Sequence, residues 1–271
     1  MKCELVQLET PFANFWRRAG RHQLVEIAKV QDASIKESQM TQQTLSFRLE
    51  LASSKQDLDD VCNVRSETYG HHLPGLYDVL RRPDAIDLDP ATAIFLCRDK
   101  TTDRAIGTAR IQTTRTGPLL IEQCAEAPTE MKRQDRAEIS RFSATRGADP
   151  LVKLALWKAS YLYCQAVQAR WMIIGARSEA LVRQYQRLGF CDIHDDRRMV
   201  PLEYAGGVPH RILAFDVVTA ERMWLASNNP LYGFIFETSH RDIELFRTAE
   251  FAGRSIGTPV SRQPHEEPTM S

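Results

Sequence analysis

Long apolar segments are missing from this sequence of 271 residues. No apolar run reaches the roughly 18 residues that a membrane-spanning helix needs. The N-terminus, MKCELVQLETPF, has neither a continuous apolar segment nor an A-x-A cleavage site. We therefore expect neither a transmembrane protein nor a secreted precursor, and we predict a cytoplasmic location.

Paired cysteines and a net charge are missing too. The six cysteines include no C-x-x-C pair, so neither a zinc site nor a disulfide framework is expected. Basic and acidic residues balance at 35 each, so no overall field indicates a nucleic-acid partner. The sequence also has no H-x-x-x-H spacing and no G-x-S-x-G elbow, so we expect no bound metal and no covalent nucleophile.

What the sequence does contain is the composition of a globular protein, with 43% hydrophobic and 26% charged residues. We predict an N-terminal extension over residues 1–45, a main domain over 46–250 that ends in a helical extension, and a disordered tail over 251–271. Residues 15–30 mix arginines and lysine with apolar residues. That pattern fits either a solvated helix packed on the domain or a basic amphipathic helix that contacts a membrane surface or an acidic partner.

Strand and helix patterns alternate through the main domain. A strand from about residue 44 precedes helices over 57–80, with Asp57 as the expected N-cap, and an antiparallel hairpin follows over 93–114. A strand at AEISRFSAT then leads to a helix over 151–169, the buried strand WMIIGA, a helix closed by Gly189, and the strands FCDI and RILAFDVV. This order predicts an α/β fold in which helices flank a mixed, mostly antiparallel central sheet.

The strand AEISRF is unusual because it carries charges. A strand that feeds a crossover helix is normally a continuous apolar run. Simple alternation puts Glu138, Ser140 and Phe142 on one face and Arg141 on the other, unless a bulge shifts the parity. Because buried charges are costly unless they are paired or border a wet cleft, we expect this strand either to line a substrate cleft or to hold a structural Glu–Arg ion pair.

Other charged residues precede this strand in a recognisable order. Arg65 lies in a helix, Asp84 and Asp87 form a D-x-x-D that a third acid, Asp89, follows, and Arg110 ends a G-x-x-R. Together with E-x-S-R-F, this ordered set resembles the acyl-homoserine-lactone synthases and, more closely, the long-chain N-acyl amino acid synthases of the FeeM type. The segment SEALVRQYQRLGF also resembles the Y-x-x-x-G-F signature of the GNAT acyltransferases.

The resemblance implies a GNAT-like acyltransferase fold and a specific reaction. A long-chain fatty acyl group would move from the thioester of acyl carrier protein to the α-amine of an amino acid, with no bound cofactor. Only Gly147 occupies the place of the glycine-rich pyrophosphate loop, which favours acyl carrier protein over acyl-CoA as the donor. The alternatives are an acyl-homoserine-lactone-type signal synthase, an acyl-CoA-dependent N-acyltransferase and a non-catalytic acyl-binding module.

The same resemblance implies roles for individual residues. Glu138 would accept the proton of the amine, directly or through a water, and Tyr185 would protonate the leaving thiolate or simply fill the core. The predicted catalytic residues are Glu138, Arg141 and Tyr185, and the predicted substrate-binding residues are Arg65, Asp84, Asp87, Arg110, Ser140 and Phe142.

Overall fold

The computed structural model describes residues 41–70 and 74–245. The helices of this part are α1 (Lys55–Gly70), α2 (Tyr77–Leu80), α3 (Thr129–Lys132), α4 (Leu151–Ala166), α5 (Glu179–Arg187) and α6 (Ala220–Ala226). The strands are β1 (Thr41–Gln43), β2 (Phe47–Leu51), β3 (Ala93–Asp99), β4 (Ala105–Thr113), β5 (Arg136–Ala144), β6 (Trp171–Ala176), β7 (Cys191–Asp192), β8 (Val200–Leu202), β9 (Val208–Asp216), β10 (Thr238–His240) and β11 (Ile243–Glu244).

The predicted helix over residues 15–30 and the predicted tail over 251–271 lie outside the described residues. Among the helices that are described, none combines the length and the apolar character needed to cross a membrane.

One mixed sheet organises the domain. Its strand order is β11-β2-β3-β4-β5-β6-β9-β7, and β8 pairs with β9. Neighbours run antiparallel except for the parallel pairs β11–β2 and β5–β6. The β5–β6 pair is parallel because α4 carries the chain back between them, as a crossover unit requires. The predicted mixed, mostly antiparallel central sheet flanked by helices is confirmed.

Helix α4 forms the centre of the main core. Its sequence, LVKLALWKASYLYCQA, is apolar around most of its circumference, as expected of a helix that is covered on more than one side. Trp157 stacks between Tyr161 and Trp224, with ring centroids 6.0 and 5.2 Å away. The helix therefore joins the sheet to the C-terminal segment that carries Trp224.

Helix α1 begins two residues before the predicted N-cap. Ser54 is the capping residue, because its Oγ accepts the backbone N–H of Asp57 at 3.0 Å. In return, Asp57 Oδ2 accepts the backbone N–H of Ser54 at 3.0 Å. This reciprocal pair is a capping box, so Asp57 is its third helical residue and not the N-cap.

The C-terminal segment combines α6 with a π-helical turn, Gly233–Glu237, and then with two short strands that the sequence pattern does not predict. Strand β10 pairs with β1, and β11 pairs with β2. Lys158 of α4 fastens this segment to the core. Its buried ammonium donates to the carbonyls of Phe234 (2.8 Å) and Thr238 (2.5 Å) and to Nδ1 of His240 (3.1 Å).

Acid is expected to weaken this attachment. Burial, followed by the Lys158 ammonium, lowers the pKa of His240 to about 4, whereas a histidine in an unfolded chain titrates near 6.5. The unfolded chain therefore binds more protons between these values, and the free energy of unfolding falls as the pH drops through this window. Denaturant titrations at about pH 7.5 and pH 5 should show a loss that is about 1–2 kcal/mol larger in the wild type than in His240→Gln. Equal losses in both proteins would contradict this account.

Candidate active site

Strand β5 contains a bulge at Arg141. The φ angle of Arg141 is 53°, in the left-handed region that non-glycine residues rarely occupy. At this point Arg141 and Phe142 together stand opposite the single residue Ala109 of β4, because the register shifts between Thr108 and Arg110. The bulge breaks the strict alternation predicted for this strand, and Ser140, Arg141 and Phe142 all border the same cavity.

The sheet opens immediately beside this bulge. The parallel ladder between β5 and β6 runs from Arg136 paired with Trp171 to Ile139 paired with Ile174, and then it stops. Beyond Ile139 the next residues of β5 have no β6 partner, so backbone N–H groups on that side lack the strand partner that a continuing ladder would supply. A cavity of about 220 Å³ occupies the opening.

The cavity has walls from several elements. Ser140, Arg141 and Phe142 of β5 form one wall, and Tyr185 of α5 lies on another. A second cavity of about 80 Å³ shares Ser140 and Arg141 with the first and adds Tyr204. The structure therefore gives the bulge two adjoining spaces, one between the splayed strands and one toward Tyr204.

Four of the predicted residues form an ion-pair network that is buried except at Asp84. Arg65 donates through Nη1 to both oxygens of Asp87, at 2.9 and 2.8 Å. Arg110 donates through Nη1 to both oxygens of Asp84, at 2.8 and 2.9 Å, and to Asp87 Oδ1 at 3.2 Å. Arg65, Asp87 and Arg110 are buried. Their opposite charges therefore attract each other more strongly than they would in water.

The network also identifies which aspartates belong together. Asp84 and Asp87 accept each other's backbone N–H groups, at 2.9 and 3.1 Å. The carboxylate of exposed Asp89 instead accepts only the N–H of Ala91 among the hydrogen bonds of the described residues. Burial alone would raise the pKa of Asp84, but the ion pair with Arg110 lowers it below the ordinary range. Asp84 is therefore an ionised partner of Arg110, and Asp87 pairs with both Arg65 and Arg110.

Arg110 and Arg141 connect this network to the cavities. Arg110 Nε donates to Ser140 Oγ at 3.0 Å. Arg141 Nη2 donates to the carbonyl of Tyr204 at 3.2 Å and lies 3.7 Å from Asp84 Oδ2. Both guanidiniums therefore bind groups of the protein itself. Arg110 Nη2 and Arg141 Nε, in contrast, have no hydrogen-bond partner in the described chain. The two guanidiniums orient the cavity wall through Ser140 and Tyr204.

Glu138 differs from the expectation that its strand face borders a cleft. Its side chain is 0% exposed, and it lines neither of the two cavities beside the bulge. Nor is it locked to an arginine. Glu138 Oε2 accepts the backbone N–H of Ile121 at 2.8 Å, and the Tyr204 hydroxyl donates to its carboxylate. The reason is the bulge, which leaves Glu138 on the paired part of β5 and turns only the residues after it toward the opening.

The carboxyl group of Glu138 holds protons more tightly than usual. Burial raises its pKa, although the Ile121 N–H, the Tyr204 hydroxyl and the nearby Arg110 each lower it in part. Its Oε1 has no hydrogen-bond partner among the described residues. Tyr204 interacts with Glu138 and also lines the smaller cavity, so it connects the buried carboxyl group to that cavity.

Tyr185 is the one predicted residue of α5. It is buried, it lines the larger cavity, and its ring lies 5.7 Å from that of Phe190. Burial raises the pKa of Tyr185 well above its ordinary value, so its hydroxyl stays protonated at neutral pH. Tyr185 therefore serves the core and the cavity wall together.

Among the residues that border the cavities, sequence reasoning did not single out Tyr204, Arg177 and His210. Arg177 directly follows the buried strand WMIIGA, and a charge at the end of such a strand is a signal that could have singled it out. The other two carry no local signal, because they come from the turn after β8 and from β9, far along the chain from β5.

No family model and no curated protein matches this chain. Solved structures do match it at the level of the fold. One is FeeM, an N-acyl amino acid synthase from uncultured soil microbes, at 15% identity and a TM-score of 0.50, covering 67% of this chain and 97% of that chain. Another is BjaI, a CoA-dependent acyl-homoserine lactone synthase solved with MTA, at 16% identity and a TM-score of 0.50, covering 77% of this chain and 98% of that chain. The resemblance inferred from the ordered charges is thus confirmed at the level of the fold.

Proposed function

We propose that this protein is an N-acyltransferase that moves a long-chain fatty acyl group from acyl carrier protein to the α-amine of an amino acid. One observation carries the proposal: the β5–β6 ladder ends beside a bulge, and two adjoining cavities meet there. Such an opening lets a thioester reach the strand from one side and an amine from the other. The shared fold with an N-acyl amino acid synthase supports the same assignment.

The reaction needs groups that stabilise an oxyanion and move protons. Unpaired backbone N–H groups of β5 after Ile139 would stabilise the oxyanion of the tetrahedral intermediate. An ammonium substrate gives up two protons in forming the amide; one ends on the leaving thiolate and the other in solvent. Tyr185, which keeps its proton, would donate it to the leaving thiolate. Glu138 would receive one amine proton through Tyr204.

The proposed acyl donor is the carrier protein because of the N-terminus of α4. In a GNAT-like fold this helix N-terminus would attract the pyrophosphate of CoA. Here Asp149 occupies it, since Asp149 Oδ1 accepts the backbone N–H of Leu151 at 2.8 Å. A carboxylate at this position repels a second anion. Acyl-CoA is the second candidate donor, because BjaI, which shares the fold, is a CoA-dependent acyl-homoserine lactone synthase.

The choice of donor leads to a prediction. We expect kcat/KM for hexadecanoyl-acyl carrier protein to exceed that for hexadecanoyl-CoA by about tenfold or more, the size of a partly buried helix-terminus charge effect. The Asp149→Asn variant keeps the cap but loses the charge, so it should gain activity with acyl-CoA and leave the carrier-protein rate unchanged. Equal use of both donors by the wild type would instead favour the acyl-CoA-dependent alternative.

The function itself is tested by product formation. The protein is incubated with hexadecanoyl-acyl carrier protein and the twenty amino acids, and the mixture is examined by mass spectrometry for acyl amides. An N-acyl amino acid supports the proposal, and a lactone formed only when S-adenosylmethionine is added would support the signal-synthase alternative. The absence of any acylated amine, with the carrier-protein thioester intact, would favour the non-catalytic acyl-binding module.

A further inference from the structure

Two residues line both cavities and have no role so far. Arg177 follows β6, and His210 lies in β9. The antiparallel register pairs Ala176 with Arg211, and continuing it by one residue sets Arg177 opposite His210. The two side chains are close enough for the Arg177 charge to lower the pKa of His210.

The hydrogen bonding of His210 determines which of its nitrogens is free. Nδ1 lies 2.6 Å from the carbonyl oxygen of Val208. A carbonyl only accepts, so Nδ1 carries the hydrogen and Nε2 of the neutral ring holds a lone pair. No group of the described chain hydrogen-bonds to Nε2. The imidazole is therefore fixed in the tautomer of a base, on the wall that the two cavities share.

Gly175 makes room for this ring. A Cβ added at Gly175 would come 3.2 Å from His210 Cδ2 and 3.1 Å from Leu202 Cδ1, tighter than ordinary van der Waals contact. The missing side chain on β6 thus lets the imidazole lie across the strand beside Ile139 and Arg141, which line the same two cavities.

Arg177 is the matching cation. Within residues 41–70 and 74–245 it forms no ion pair with a carboxylate, in contrast to Arg110 and Arg141, which contact Asp84. Arg177 is only half buried, so its charge is tolerated without a protein partner. A guanidinium left free on a cavity wall is suited to bidentate binding of a carboxylate.

We propose that Arg177 and His210 form the acceptor subsite, which takes an α-amino carboxylate: Arg177 binds the carboxylate, and His210 Nε2 removes the first proton from the ammonium. This proposal rests on the proposed function. In the step, the N–H bond of the ammonium breaks, its electron pair remains on nitrogen, and the proton bonds to Nε2. The neutral amine then attacks the thioester carbon, and the second proton leaves after attack through Tyr204.

Several charged and titratable groups line one or both of the cavities that His210 borders. They are Tyr69 of α1, Arg141 of β5, Lys153 of α4, Arg177 after β6, Tyr185 of α5 and Tyr204 after β8. Burial and Arg177 lower the pKa of His210, while its bond to Val208 raises it in part. The net lowering keeps the ring neutral, and so able to accept a proton, at neutral pH.

The test separates the two residues by their kinetics. His210→Gln should lower kcat by about 100-fold, the ordinary size of a general-base effect, with little change in KM for the amino acid. Arg177→Gln should raise that KM by about tenfold or more and leave kcat nearly unchanged. His194→Gln and Lys153→Gln are the matched controls: His194 lines neither cavity, and Lys153 is an exposed cation at the rim of the larger one. If His210→Gln keeps full kcat, or if Lys153→Gln raises KM as much as Arg177→Gln, the subsite is wrong while the acyltransferase stands.

A binding measurement tests the subsite without turnover. The probes are N-dodecanoyl glycine and its amide, which lacks the carboxylate charge, and their Kd values are measured by calorimetry. We expect the wild type to bind the carboxylate about tenfold or more tightly than the amide, and Arg177→Gln to lose this preference while melting at an unchanged temperature. If the wild type transfers no acyl group yet shows this preference, the proposed function fails and the subsite stands. Equal binding of both probes by the wild type would overturn the subsite.

Discussion

Asp87→Asn is expected to lower the free energy of unfolding by about 3 kcal/mol or more, the cost of removing one partner from a buried ion pair. Asp87 contacts two buried guanidiniums, at 2.8 Å for Arg65 Nη1 and 3.2 Å for Arg110 Nη1. Asparagine keeps the shape and one acceptor oxygen but leaves both cations short of a negative charge. The measurement is a urea titration monitored by far-ultraviolet circular dichroism.

Asp89→Asn is the matched control for this prediction. Asp89 lies two residues away on the same segment, but it is exposed and accepts a local N–H from Ala91 at 2.8 Å. A change at such a surface position normally costs no more than about 0.5 kcal/mol. If Asp87→Asn is as stable as Asp89→Asn, the buried network does not hold α1 against the sheet. The double variant Arg65→Met with Asp87→Leu should recover part of the loss, because it removes both charges together.

Glu138→Gln is expected to lower kcat for acyl transfer by about 100-fold, within the usual range for loss of a proton-transfer group. The melting temperature should change little, because the amide oxygen can still accept the Ile121 N–H that Glu138 accepts at 2.8 Å. What the glutamine loses is the ability to take a proton from Tyr204. Tyr204→Phe should therefore reproduce part of the loss in kcat, with no change in the KM for the acyl donor.

Glu122→Gln is the control that separates catalysis from packing. Glu122 is a neighbouring carboxylate that raises the pKa of Glu138 and pairs with Arg136 Nε at 2.6 Å, but it lines neither cavity beside the bulge. This variant should lose stability and keep its turnover per folded molecule. The proposed role of Glu138 would be refuted if Glu138→Gln behaved in the same way, with full kcat and a lower melting temperature.

Local sequence patterns accounted for most of the elements that carry the site. The strands AEISRFSAT and WMIIGA and the start of the helix between them were predicted close to their observed bounds, since apolar runs and Pro150 are local signals of strand and helix start. Gly189 is a local signal of the end of α5, the next helix. The start of α1 was predicted at Asp57 instead of Ser54, because both residues belong to one capping box and either alone resembles an N-cap.

The sequence by itself determined the order of strands and helices and the ordered set of charges, because periodicity, capping and residue type are read over a few neighbouring positions. The tertiary structure alone decided that Asp84 and Asp87, and not Asp89, pair with the arginines. It also decided that Glu138 is buried behind Tyr204 while His210 faces both cavities. These outcomes depend on the Arg141 bulge and on the register between β6 and β9, which join residues far apart in the chain and therefore leave no local trace.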